Sequence, residues 1–95
     1  MNDGVNIAEY LSVGEENAIK TKDLANRLNM TSRQLTIEIN RARCSGEIIL
    51  SGVGGYFLPG NDDEIQHFCR MMHSRRRKIA DAVRSAEKYL AENRT

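Results

Sequence analysis

Arg33, Gln34, Thr36, Asn40 and Arg41 crowd one short stretch of the 95-residue chain. Their side chains share a competence. An Arg guanidinium pairs bidentately with guanine, and an Asn or Gln amide pairs in the same way with adenine. Just ahead of them, Thr31 and Ser32 stand where a helix would open, and hydroxyls with free backbone N–H groups suit a phosphate. Lys20 and Lys22 lie upstream as candidate contacts to a nucleic-acid backbone. Glu38 borders the stretch and would repel phosphate unless it points aside. Ile37 sits near its centre, suited to a thymine methyl or to a protein surface.

Other chemistries are less well provided for. Cys69 and His73 stand four residues apart, with His67 nearby, yet two ligands on one helix do not make a metal site. Cys69 therefore reads as a core cysteine, and no metal or cofactor is expected. With only Cys44 and Cys69 in the chain, a four-cysteine cluster is excluded. No Ser or Cys carries a local catalytic signature, and the glycines between Gly52 and Gly55 lack the Lys-Ser/Thr of a phosphate-binding loop. Enzyme activity is not expected.

Composition narrows the setting. The net charge is +1, which excludes a histone-like blanket of positive charge but not a local basic patch. Aromatic residues make up 5% of the chain and Trp is absent, so a stacking platform for single strands is not expected. Apolar runs are too short for a membrane span, and no secretory signal is visible at the N-terminus. Two cysteines outside any CxxC pair point to a reduced, cytoplasmic protein. Hydrophobic residues, at 40%, suffice for one modest core.

The elements that must position the polar stretch follow from breakers and periodicity. Ile7, Ala8, Tyr10 and Leu11 read as a short helix after Val5, and residues 12–20 as a loop. Thr21 reads as an N-cap, with Asp23 in the first turn and Leu24, Ala25 and Leu28 on one face. Asn29 tolerates the left-handed conformation that ends a helix, and Thr31 or Ser32 can cap the next. Leu35, Ile39 and Ala42 then recur at helical spacing until Gly46. That places Arg33, Ile37, Asn40, Arg41 and Cys44 on the opposite face, with Gln34 and Thr36 flanking. On this reading Cys44 is the more accessible thiol. Residues 47–51 and 56–58 read as two strands around the glycine turn, a hairpin.

Helix, helix, turn, helix and hairpin, in that order, describe a winged helix-turn-helix, whose third helix enters the major groove. The stretch LANRLNMTSRQLTIEINRARCSGEIILSGVGGYFL, residues 24–58, resembles the winged helix domain at the N-terminus of biotin-operon repressors. It is also similar to small prophage-encoded winged helix proteins of Gram-positive bacteria. The L-A-x-x-L helix, the T-S-R opening, Gly46 and the G-G-Y entering the last strand carry the likeness. It implies a double-stranded DNA-binding transcriptional regulator, with a mobile-element setting. The hairpin tip departs from the DNA-binding pattern, because Gly52, Val53, Gly54 and Gly55 supply no charge to meet a phosphate. The alternative is a winged helix that docks proteins through Ile37 and Cys44 and binds no DNA.

Pro59 ends the glycine-rich part. Residues 1–60 hold six Lys and Arg against seven Asp and Glu, a net of −1; residues 61–95 hold eight against six, a net of +2. The second part has no Gly or Pro and reads as one long helix opened by a capping box of Asn61 and Glu64. Its inner apolar stripe is Ile65, Phe68, Cys69 and Met72. The outer stripe is Ile79, Ala82, Val83, Ala86 and Leu90, which lies too far along to reach the first sixty residues. Pairing with the same stripe of a second chain would bury it and make a homodimer. Fraying after Lys78, or a bend back onto its own domain, is the other way to hide it. Between the stripes, Arg75, Arg76, Arg77 and Lys78 read as a solvated stretch or as a phosphate-tracking patch.

Overall fold

The structure, a computed structural model, describes residues 6–93. It is mainly helical, with a two-stranded antiparallel hairpin and one long C-terminal helix. The first element is a single 3-10 turn at Ile7–Tyr10, which buries Ile7 and leaves Tyr10 exposed. Val5, expected to precede it, lies outside the described residues.

Residues 12–20, expected to be a loop, carry more order than that. Glu15–Asn17 form a second 3-10 turn. Ile19 then donates to and accepts from Tyr56, both at 2.9 Å. This pairing holds Lys20 in an extended conformation, so the chain passes straight from sheet contact into helix α1, Thr21–Arg27. Thr21 is therefore the first helical residue rather than the cap. Lys20 occupies the cap position without a side-chain hydrogen bond.

Helix α2, Ser32–Cys44, follows across residues 28–31, where Asn29 takes the left-handed conformation at φ 58°. Thr31 caps it: its hydroxyl accepts from the Gln34 N–H, and the Gln34 side chain accepts in return from the Thr31 N–H. At the far end Gly46, with φ 105°, lets the Glu47 N–H reach back to the Ala42 carbonyl at 3.0 Å. Glu47 is thus spent on ending the helix. The strand expected from residue 47 starts only at Leu50.

Strands β1, Leu50–Gly52, and β2, Gly55–Phe57, pair Leu50 with Phe57, Ser51 with Tyr56 and Gly52 with Gly55. Ile19 lies along the other edge of β2, and Leu58 bridges back to Val13. Ile7, Leu11, Leu24, Ala25, Leu35, Ile39 and Ile49 fill the space between these elements. Burial of such side chains, about 1.5–3 kcal/mol each, is the main term holding α2 in place.

Helix α3, Asp62–Glu92, runs unbroken for 31 residues. Asn61 caps it by accepting from the Glu64 N–H at 2.9 Å. The return bond of a capping box is not made. The Glu64 carboxylate instead takes the Gly60 N–H at 2.7 Å and the Glu15 N–H at 3.0 Å, pinning the start of α3 to the second 3-10 turn. These two backbone donors hold its carboxyl below the ordinary value. A depressed folded-state value gives stability that is present above the unfolded value, near 4.3, and lost as pH falls through the folded one. Glu64→Gln should therefore lower Tm at neutral pH, with the gap to wild type closing in acid. Melting curves between about pH 7 and pH 3 test this; a gap independent of pH would contradict it.

The inner part of α3 packs over β1 through Ile65, Phe68, Met71 and Met72, all partly buried. Cys69 is exposed, as is Cys44. Its expected place in the stripe is taken by Met71, because the packed face is centred between Phe68 and Met72 and Cys69 falls on its flank. From Arg75 to Asn93 every residue is exposed. The molecule is accordingly elongated, 54 × 33 × 23 Å. No helix among the described residues is long and apolar enough to cross a membrane.

Candidate nucleic-acid interface

Leu35 and Ile39 are buried to within 1% and fix the rotation of α2 about its axis. One turn on, the opposite face emerges as expected: Arg33, Thr36, Ile37, Asn40, Arg41 and Cys44 are all exposed. Because the helix is anchored along its whole buried side, these groups are held in a fixed array.

Their availability differs. Arg33 and Asn40 are exposed, and neither side chain bonds to another described residue. Gln34 spends its carbonyl oxygen on the Thr31 N–H, which leaves its amide N–H groups to donate. Thr36 donates its hydroxyl to the Ser32 carbonyl at 3.1 Å and keeps only acceptor capacity. Arg41 pairs with Glu38 at 2.8 Å on the helix surface. That exposed pair is worth well under 1 kcal/mol, so a base or phosphate can compete for the guanidinium. The acid that seemed set to repel phosphate is thus turned onto its own helix.

The lysines sit elsewhere. Lys20 lines an open depression of about 660 Å³ with Asp23, Asn26, Arg27 and Gly54, between α1 and the hairpin tip. A smaller one of about 290 Å³ is lined by Asn26, Asn29, Thr31 and Gln34. Asn26 borders both. A polar path therefore leads from the hairpin tip over α1 to the opening of α2, with Lys20 at one end and Thr31 and Gln34 at the other. Lys22 is exposed on α1 but lines neither depression. Asn26 and Arg27 were missing from the expected set, although their place opposite Leu24 and Ala25 was readable from helical spacing.

Arg43, the remaining arginine of α2, is turned inward. Its Nε donates to the Ile49 carbonyl at 2.8 Å, and its guanidinium lies over the rings of Phe68 and Tyr56. The face thus presents two arginines and not three. Val53 stands free at the hairpin tip with no cation beside it in the turn. Among the described residues no cluster of His, Cys, Asp and Glu could hold a metal ion. No protein-family model, curated protein or solved structure matches the chain.

Proposed function

We propose that the chain is a winged helix-turn-helix protein that binds double-stranded DNA sequence-specifically, as a homodimer, and regulates transcription. The observation that carries the reading is the outer face of α2. A helix anchored by Leu35 and Ile39 presents Arg33 and Asn40 unengaged, with Arg41 held only by an exposed ion pair. That array supports the role of a reading helix, whose side chains would reach base edges in the major groove. Two further features support it. Ile19 bridges to Tyr56 on the free edge of β2, beside the two-stranded hairpin, as the third pairing segment of a winged helix would. Thr31 and Ser32 open α2, where a phosphate would lie, and Lys20 borders the neighbouring depression. The prophage setting rests on the resemblance of residues 24–58 alone.

A second reading has its own observation. Ile37 is 48% exposed at the centre of the face, as a protein-docking side chain would be. Ionic strength separates the two, since affinity through phosphates falls steeply with salt and affinity through an apolar face does not. DNA fragments recovered by genomic pulldown supply the probe, and fluorescence anisotropy across salt concentrations supplies the measurement. Arg33→Ala should weaken binding to such a fragment by about 1–3 kcal/mol. Glu38→Gln should strengthen it, because Arg41 is then released. Wild-type affinity weaker than about millimolar at low salt would remove the DNA reading.

A further inference from the structure

We propose that the outer halves of two α3 helices pair antiparallel, so that the two winged units stand at opposite ends of a shared rod. The proposal rests on the homodimer reading and adds its geometry. Ile79, Val83 and Leu90 are 59%, 51% and 59% exposed, and Tyr89 beside them is 65% exposed. Helical spacing puts them, with Ala82 and Ala86, in line with Ile65, Phe68 and Met72. One apolar face therefore begins against the hairpin and continues into solvent. Its own domain cannot cover the continuation, because α3 runs unbroken from Asp62 to Glu92 and packing stops before Arg75. An unsupported helical segment of this length is marginal in water, and its apolar side chains call for a partner.

On the homodimer reading that partner is a second copy, and the charge pattern sets its direction. Arg75, Arg76, Arg77 and Lys78 crowd the near end of the overhang, whereas beyond them Asp81, Glu87 and Glu92 alternate with Arg84 and Lys88 up to the C-terminal pole of the helix dipole. Arg75 already burdens Arg43, whose guanidinium is half-buried nearby. A parallel pair would stack two such basic clusters at one level, with Arg75 and Arg76 flanking the seam of each helix. Antiparallel pairing about residues 82–86 sets each basic cluster against the other chain's segment of mixed charge. Ala82 and Ala86 then lie at the crossing, where small side chains admit close approach. Only the reversed arrangement keeps the two basic clusters apart.

Cys69 is exposed on α3 inside the docked half, which makes it a ruler. In a full-length Cys44→Ser variant carrying a spin label on Cys69, pulsed dipolar spectroscopy should read roughly 35–50 Å between labels, from 1.5 Å per residue on either side of the crossing. Dilution with unlabelled protein should abolish the signal. A separation of about 10–20 Å, set by the spacing of two side-by-side helices, would overturn the antiparallel arrangement and leave the homodimer standing. Absence of any intermolecular distance at concentrations of about 100 μM, ample for a weak pair, would overturn both. DNA binding, measured separately, is untouched by either result.

Discussion

Gly55→Ala is expected to remove a large share of the stability of the domain formed by residues 6–60. Gly55 has φ 119°, a conformation that an L side chain adopts only under strain. A Cβ there would be driven into the Ile19 carbonyl, with the Lys20 Cα only 2.8 Å away. Both obstacles are backbone, so no rotamer change relieves them. The pairing of Ile19 with Tyr56 must then open, and its two hydrogen bonds go with it. Strain of about 1–3 kcal/mol, overpacking of similar size and two lost bonds of about 1 kcal/mol each sum to roughly 4 kcal/mol or more. A domain of this length has on the order of 5–10 kcal/mol in all, so the loss is a large share of it. Gly54→Ala is the control, since its Cβ would meet only the Ala18 methyl at 3.3 Å. Urea denaturation should show a large fall in midpoint at position 55 and a small one at position 54. Equal behaviour of the two variants would mean that Ile19 and β2 do not lie this close.

The second large effect belongs to Arg43. Its guanidinium joins three elements: Nε to the Ile49 carbonyl at 2.8 Å, Nη2 to the Ser51 hydroxyl at 3.3 Å, and the cation over Phe68 at 5.0 Å. Burial lowers its pKa from the ordinary value; Tyr56 opposes that shift and Arg75 adds to it. Removing the side chain leaves the Ile49 carbonyl without this donor and opens the space between α2 and α3. The expected loss for Arg43→Ala is about 2–3 kcal/mol, from charge-assisted hydrogen bonds together with the ring contacts. Arg43→Lys should recover little, because an ammonium has neither the planar fork nor the stacking face. Thermal and urea denaturation of both variants check this. Recovery of more than half the loss by Lys would show that charge alone matters there.

Local rules were enough for much of this molecule. The recurrence of Leu35, Ile39 and Ala42, bounded by Asn29 and Gly46, places α2 and predicts which side chains face outward. The absence of breakers after Pro59 likewise gives α3 in full. What escaped depended on neighbours distant in the chain. Glu64 bonds to Glu15 across 49 positions, and no spacing rule anticipates that. Arg43 lies at the border between the buried and exposed faces of α2, and only the arrival of Phe68 from α3 decides which side it joins. Cys69 and Met71 are similarly placed about the stripe of α3, and the crossing over β1 chooses between them. Ile19 contributes one pairing residue, too short a segment to show alternation. The fate of Gln34 was legible, since Thr31 and Gln34 have the spacing of a capping box.

The bare outer half of α3 gives the molecule two orders of cooperativity. The core around Leu24 and Leu35 is held by contacts within one chain, so its melting is first order and indifferent to dilution. Residues 79–92 are exposed, and on the proposed antiparallel pairing the contacts that cover them come from a second chain. Any burial they gain comes from a bimolecular equilibrium, and the protection of their amides against hydrogen exchange scales with protein concentration. On that pairing, when the protein is scarce the domain is folded while the outer half of α3 opens and closes, and accumulation of the protein is what makes the paired helices rigid. The number of copies present thereby becomes a variable of the structure itself.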